Sequence, residues 1–268
     1  MVSNLLVEDV EEILETTFAD VDEELLVVDP SADTVVELVE AAMGRDDLPR
    51  MSLLVDERTL KNVMGDFLVA SRAADLVADG SMTLRLLAEP ADNTLFVSDS
   101  RVLTLVSAGG RVGALSTEDA EFVAEVAETY RDAFADAEEY ELRTPSISRI
   151  RETMEAEIGE ETRADFDAVL AAIDTEGSSL DEVTVSLLVA ARNDVLLYDI
   201  SKWGEDVGIA SKATFSRTKT RLEDLGILDT EKVPIDVGRP RLRLKLGNDR
   251  LVGVDATEFA RIAEELLE

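Results

Sequence analysis

Two stretches of the sequence gather cations at spacings that suit a phosphate backbone. Residues 211–221, SKATFSRTKTR, carry Lys212, Arg217, Lys219 and Arg221 without one acid. Residues 239–245, RPRLRLK, carry Arg239, Arg241, Arg243 and Lys245, again without an acid. Guanidinium and ammonium groups in series neutralise a polyphosphate, and the arginine fork also fits a guanine edge. The chemistry on offer is binding rather than turnover. The 268 residues include no histidine and no cysteine. That removes the commonest general base, every Ser-His pairing, thiolate nucleophiles and Cys- or His-held zinc. No catalytic residue, metal or cofactor is expected.

The background makes these stretches stand out. The chain holds 59 Asp and Glu against 26 Lys and Arg, a net charge of −33. Residues 201–250 alone carry +3 and include five of the six lysines. A sustained basic window in so acidic a chain is the footprint of a nucleic-acid partner. The acids elsewhere are scattered rather than blocked, which suits a cytoplasm of multimolar salt, where the Debye length shrinks to about 3 Å at 1 M. We read the source as a salt-in halophile, an archaeon; the alternative is an acidic protein that binds or mimics a basic partner. The first basic residue is Arg45, so no signal-peptide n-region is expected, and no apolar run approaches membrane-spanning length. A cytoplasmic protein with no membrane partner follows.

The elements that must carry the cations can be read from caps and periodicity. Residues 181–193 form a helix. A short helix over 201–207, capped by Ser201, leads through Gly208-Ile209-Ala210 into a third helix over 212–225, capped by Ser211 and stopped by Gly226. Strands at 227–233 and 240–246 flank a turn at Asp236-Val237-Gly238. Helix, helix, tight turn, helix and two-stranded ribbon is the layout of a winged helix-turn-helix. On the third helix Phe215, Thr218, Leu222 and Leu225 share an inner side. Ala213, Ser216, Arg217 and Thr220 share the outer side and are the expected base readers. Ser211, Lys212, Lys219 and Arg221 are expected at flanking phosphates, as are Arg239, Arg241, Arg243 and Lys245 on one face of the wing. Trp203 and Tyr198 are expected in the core.

Upstream, strand and helix signals alternate. Helices are expected at 4–20, 32–43, 57–78 and 118–137, and strands at 24–28, 51–55, 82–88, 94–98, 101–107 and 111–115. The fold class is therefore an α/β N-terminal domain with a mixed sheet, over 1–140, plus an α+β C-terminal winged helix-turn-helix over 178–250. Residues 146–175 are expected to be a helical linker. A last helix, within 254–268, shows an apolar edge at Ile262, Leu266 and Leu267 that would hold a homodimer.

The run YDISKWGEDVGIASKATFSRTKTRLEDLGILDTEKVPIDVGRPRLRLKLG, from Tyr198 onward, resembles the winged-helix domain of the TbsP regulators of halophilic archaea, relatives of the TrmB sugar-responsive regulators. The resemblance takes in the opening SNLL and the LLVDERTLK run beginning at Leu53. It implies a sequence-specific transcription regulator of central carbon metabolism that binds a promoter operator in double-stranded DNA. Residues 92–110, DNTLFVSDSRVLTLVSAGG, resemble the active-site hairpin of phospholipase-D-like domains. Aligned on Asp99, Asp92 stands at that family's histidine position and Thr94 at its lysine position. The nucleophile and the phosphate-holding cation are both missing, so a degenerate, non-catalytic sensor is implied. Ser98, Arg101, Ser107, Arg111 and Ser116 are its candidate effector ligands, suited to a small anionic metabolite such as a sugar phosphate. The alternative for the whole chain is a winged-helix protein-interaction module with no direct DNA readout.

Overall fold

The computed structural model describes residues 5–7, 10–21, 23–45, 47–108, 111–173, 180–234 and 240–267. The chain divides into two compact units, Met1–Leu142 and Arg143–Glu268.

The first unit is a three-layer α/β domain. Its seven strands are β1 (Leu5–Val7), β2 (Glu24–Val28), β3 (Arg50–Val55), β4 (Met82–Leu86), β5 (Leu95–Val97), β6 (Val102–Ala108) and β7 (Arg111–Thr117). They lie in the order β1-β7-β6-β5-β2-β3-β4. The β2–β3 and β3–β4 pairs are parallel; the others are antiparallel. β3 is buried on both faces, so RMSLLV reads as a continuous apolar run rather than an alternation. One face carries α1 (Val10–Asp20), α2 (Ala32–Ala42), α3 (Glu57–Val63) and α4 (Phe67–Ala78), with Leu14, Leu38, Leu53, Leu60 and Phe96 in the core between. The other face carries α5 (Ala120–Asp136), whose Val123 and Ala127 pack with Leu26, Val28 and Leu54.

Two N-terminal expectations change. Residues 4–20 do not form one helix: Leu5–Val7 add a strand to β7 before α1 begins. An exposed β7 edge offers unpaired backbone groups, and that pairing outweighs local helical periodicity. Nor is 57–78 one helix. It breaks at 64–66, where the Asp66 carboxylate accepts from Val69 N at 3.0 Å and caps a second helix.

The second unit is α6 (Ile147–Glu157), α7 (Glu160–Ala172), α8 (Glu182–Arg192), α9 (Leu197–Val207), α10 (Lys212–Asp224), the ribbon β8 (Leu228–Val233) and β9 (Arg241–Leu246), and α11 (Ala256–Leu267). α8 is the axle. Residues 183–191 are all buried, and α7, α9, α10 and β9 pack around it. α6 and α7 are not a linker. Ile150, Met154, Phe166 and Val169 are buried, and α7 packs against α8 and α11. Of the expected dimer edge of α11, Ile262 is buried together with Phe259 and Ala263, Leu266 and Leu267 are half-buried, and the helix packs against α7. Trp203 is buried, and its indole N–H donates to Thr153 Oγ1 on α6 at 3.0 Å. The second helix begins at Leu197 rather than 201; Ser201 is buried mid-helix and donates to Tyr198 O at 3.2 Å instead of capping.

Candidate nucleic-acid interface

The geometry starts at one carbonyl. Gly204 O accepts from the backbone N–H of Gly208, Ile209 and Ala210 at 3.2, 2.8 and 3.3 Å. Gly208 takes φ +99°, which an L-residue adopts only under strain. This closes α9 and turns the chain into α10. There Ser211 Oγ accepts from Thr214 N at 3.2 Å, so that hydroxyl is engaged as a cap. Phe215 and Leu222 anchor α10 in the core, while Ala213, Ser216, Arg217, Thr220 and Arg221 are exposed. Leu225, expected inside, is 45% exposed because the helix ends one residue earlier and Ile227 takes the buried place. Arg217 donates to Thr214 Oγ1 at 3.3 Å, and Thr220 Oγ1 donates back to Ser216 O at 3.0 Å. Among the described residues, Arg217 and Arg221 form no ion pair.

The other cations are engaged by carboxylates of the same unit. Lys212 Nζ lies 2.6 Å from Glu205 Oε2. The mutual hydrogen bond holds the Glu205 carboxyl below the usual carboxylate range and the Lys212 ammonium above its ordinary value. Lys219 Nζ is 2.6 Å from Glu223 one turn on, with its side chain only 11% exposed, so it is no free flank. Glu223 also accepts from Thr230 Oγ1 at 3.0 Å, which ties α10 to β8. On the wing, Arg243 faces its cross-strand neighbour Glu231 at 3.6 Å, and Lys245 reaches Asp194 at 2.6 Å. Leu244 is buried beneath them, and its N–H donates to Val195 O at 2.9 Å, which binds the start of α9 to the ribbon. Arg239 and the 236–238 turn lie outside the described residues.

Tyr198 is the residue that sequence reasoning misplaced. It is 49% exposed, not core. The Arg241 guanidinium stacks over its ring at 4.6 Å and lies 3.4 Å from Asp199 Oδ1.

In the first unit the hairpin residues serve structure. Thr94 Oγ1 donates to Asp29 O at 2.7 Å, and Asp99 pairs with Arg131 at 2.5 Å. Three of the candidate effector ligands line cavities. Ser98 and Arg101 line one of about 200 Å³ with Thr17, Phe96, Ser100 and Leu103. Ser116 lines another, of about 360 Å³, with Leu95, Thr104, Leu115 and Phe122. In the sheet Ser116 is the cross-strand partner of Leu103, which lies two residues beyond Arg101. Arg101 also pairs with Glu118 at 2.9 Å. The side chains of Ser107 and Arg111 lie outside the described residues. Among the described residues, no group of three or more acidic side chains could hold a metal, and no helix is long and apolar enough to cross a membrane.

Comparison with known proteins agrees with this division. Residues 2–145 match the profile described as "Transcriptional regulator TbsP-like, N-terminal". Residues 146–264 match "Transcriptional regulator TbsP-like, C-terminal HTH domain". No protein of curated description matches the chain. Among solved structures, the archaeal chromatin protein TrmBL2 is 17% identical with a TM-score of 0.36, over 52% of this chain and about half, 54%, of its own. Nuc of Salmonella typhimurium, a phospholipase D family member, is 12% identical with a TM-score of 0.37, over 52% of this chain and 99% of its own. Both likenesses are too distant to bear on function.

Proposed function

The chain belongs to the TbsP-like transcriptional regulators, and from that premise we propose that it reads a promoter operator in double-stranded DNA through α10 and the wing. The observation that carries this is the outer face of α10. Ala213, Ser216 and Thr220 are short, so the backbone can approach a groove floor, and Arg217 stands among them without a carboxylate partner. Arg221 stands one turn on, where a phosphate would run. A winged helix that served only protein contacts would need no such unpaired arginines.

The first unit is proposed as a non-catalytic sensor on a degenerate phospholipase-D-like scaffold. Its support is the chain's lack of histidine and the structural use of Thr94 and Asp99. The ligand is a small anion, and the cavity beside Ser98 and Arg101 is the place for it. Targets in central carbon metabolism, a homodimer on a two-fold operator and a cytoplasm of molar salt complete the reading.

Chromatin immunoprecipitation under native salt, followed by binding of the recovered duplex to purified protein in molar KCl, tests it. Enrichment upstream of genes of sugar metabolism is expected; no enrichment at any promoter overturns it. Light scattering in the same salt checks the dimer, and turnover of a phosphodiester by clean protein would overturn the sensor reading.

A further inference from the structure

The DNA-facing cations are mostly not free. Lys212, Lys219, Arg241, Arg243 and Lys245 each lie within 3.6 Å of a carboxylate, on Glu205, Glu223, Asp199, Glu231 and Asp194 respectively. These acids come from three different places, the turn after α8, the helix α9, and the α10–β8 hairpin, so no single local motif accounts for them. Arg217 and Arg221 have no ion pair among the described residues.

We propose that the carboxylates paired with these cations make DNA binding take up cations, so that only the unpaired arginines contribute net counterion release. This rests on the DNA-binding reading above. When a phosphate takes the place of Glu205 on Lys212, the ammonium keeps one anionic partner, but the carboxylate stays beside the phosphate. Two like charges at that separation are not screened even at a Debye length of about 3 Å, so a cation is drawn from solution. One ion is released from the DNA and one is bound by the carboxylate, and the exchange cancels. The same holds at Arg241–Asp199, Arg243–Glu231 and Lys245–Asp194. A surface of seven described cations then behaves toward salt as a surface of two. The lowered proton affinity of Glu205 beside Lys212 is consistent with a charge held in place at that contact.

The test is the slope of log affinity against log KCl concentration, measured by fluorescence anisotropy between about 0.5 and 3 M. The probes are a labelled duplex of random sequence and a duplex selected from a random pool by the wild-type protein. The wild type is expected to give a slope of about −2, against about −6 if every cation released an ion. The fourfold variant Asp194→Asn, Asp199→Asn, Glu205→Gln and Glu231→Gln should steepen it by about 0.9 for each carboxylate removed. Glu223 is left intact because it also holds Thr230. A second fourfold variant, Glu121→Gln, Glu125→Gln, Glu128→Gln and Asp132→Asn on α5 of the first unit, removes as many negative charges, none of them paired with an interface cation, and should leave the slope unchanged. A wild-type slope near about −6, an unchanged slope in the first variant, or equal steepening in the second overturns the proposal. If the first variant does not fold, by Trp203 emission, the wild-type slope alone decides. Absence of binding to any duplex by every form overturns the DNA reading itself, and this with it.

Discussion

A β-carbon at Gly204 would lie 2.3 Å from Cζ of Phe215, so α9 can cross α10 only with hydrogen at that position. Phe215 is fully buried and cannot swing out, and the carbonyl of the same glycine closes the turn into α10. Gly204→Ala must therefore push α10 off α9. A loss of about 1–3 kcal/mol is expected, the range for overpacking a filled core. Trp203 is the only tryptophan, so its emission during denaturant unfolding in molar KCl reports this unit alone. An unshifted midpoint would mean that the ring relaxes freely.

How much of this could be read beforehand depends on the range of the interaction. The limits of α10 were legible because Ser211 and Gly226 punctuate it locally. The pair that removes Lys219 from the flank was legible too, since Glu223 stands four residues on. The break at Asp66 was present as a capping residue inside a helical pattern. Tyr198 was not legible, because its exposure depends on Arg241, far along the chain and brought near only by the pairing of β9 with Val195. The inward turn of Ile262 likewise depends on α7, whose role as a packing partner no local pattern announces.

Arg85 closes the carboxyl end of α5. Its Nη1 donates to Phe134 O at 2.6 Å, Ala135 O at 2.9 Å and Ala137 O at 3.4 Å, and its guanidinium stacks on the Phe134 ring at 4.7 Å. Phe134 O also accepts from the C-cap Ala137 N–H at 3.3 Å, and a cation there meets the negative end of the macrodipole. Arg85→Met keeps most of the stem but removes the arginine donor from these carbonyls. A loss of about 1.5–3 kcal/mol in the first unit is expected, as for a hydrogen bond to a charged group. Amide exchange along α5 should accelerate while the Trp203 unfolding midpoint stays fixed. Equal protection in both proteins would show that water caps the helix as well.

Tyr198 and Arg241 should behave as one group toward DNA. The ring is exposed, so Tyr198→Ala leaves the fold intact, yet it frees the guanidinium from its platform. Affinity for a random duplex should fall with either substitution, and the double variant should fall by less than the sum. A coupling of about 0.5–1 kcal/mol is expected for an exposed cation–π contact. Additive losses would mean that the tyrosine and the arginine touch DNA separately, or not at all.

Arg217 and Arg221 separate base reading from backbone holding on one helix. Both are exposed and without ion pairs among the described residues, so neither must first leave a carboxylate. They differ in place. Arg217 stands between Ser216 and Thr220 on the outer face, whereas Arg221 lies one turn further on, toward the flank away from the paired Lys219. A base-edge contact is made only on the right sequence and is worth about 1–3 kcal/mol. A phosphate contact is made on every sequence and adds about 0.9 to the salt slope. Arg217→Ala should therefore cost the selected duplex about 1–3 kcal/mol more than it costs the random duplex, which collapses their ratio at every salt concentration. Arg221→Ala should weaken both duplexes alike and flatten both salt slopes by about one. If instead Arg217→Ala preserves the ratio, base recognition does not reside on the outer face of α10.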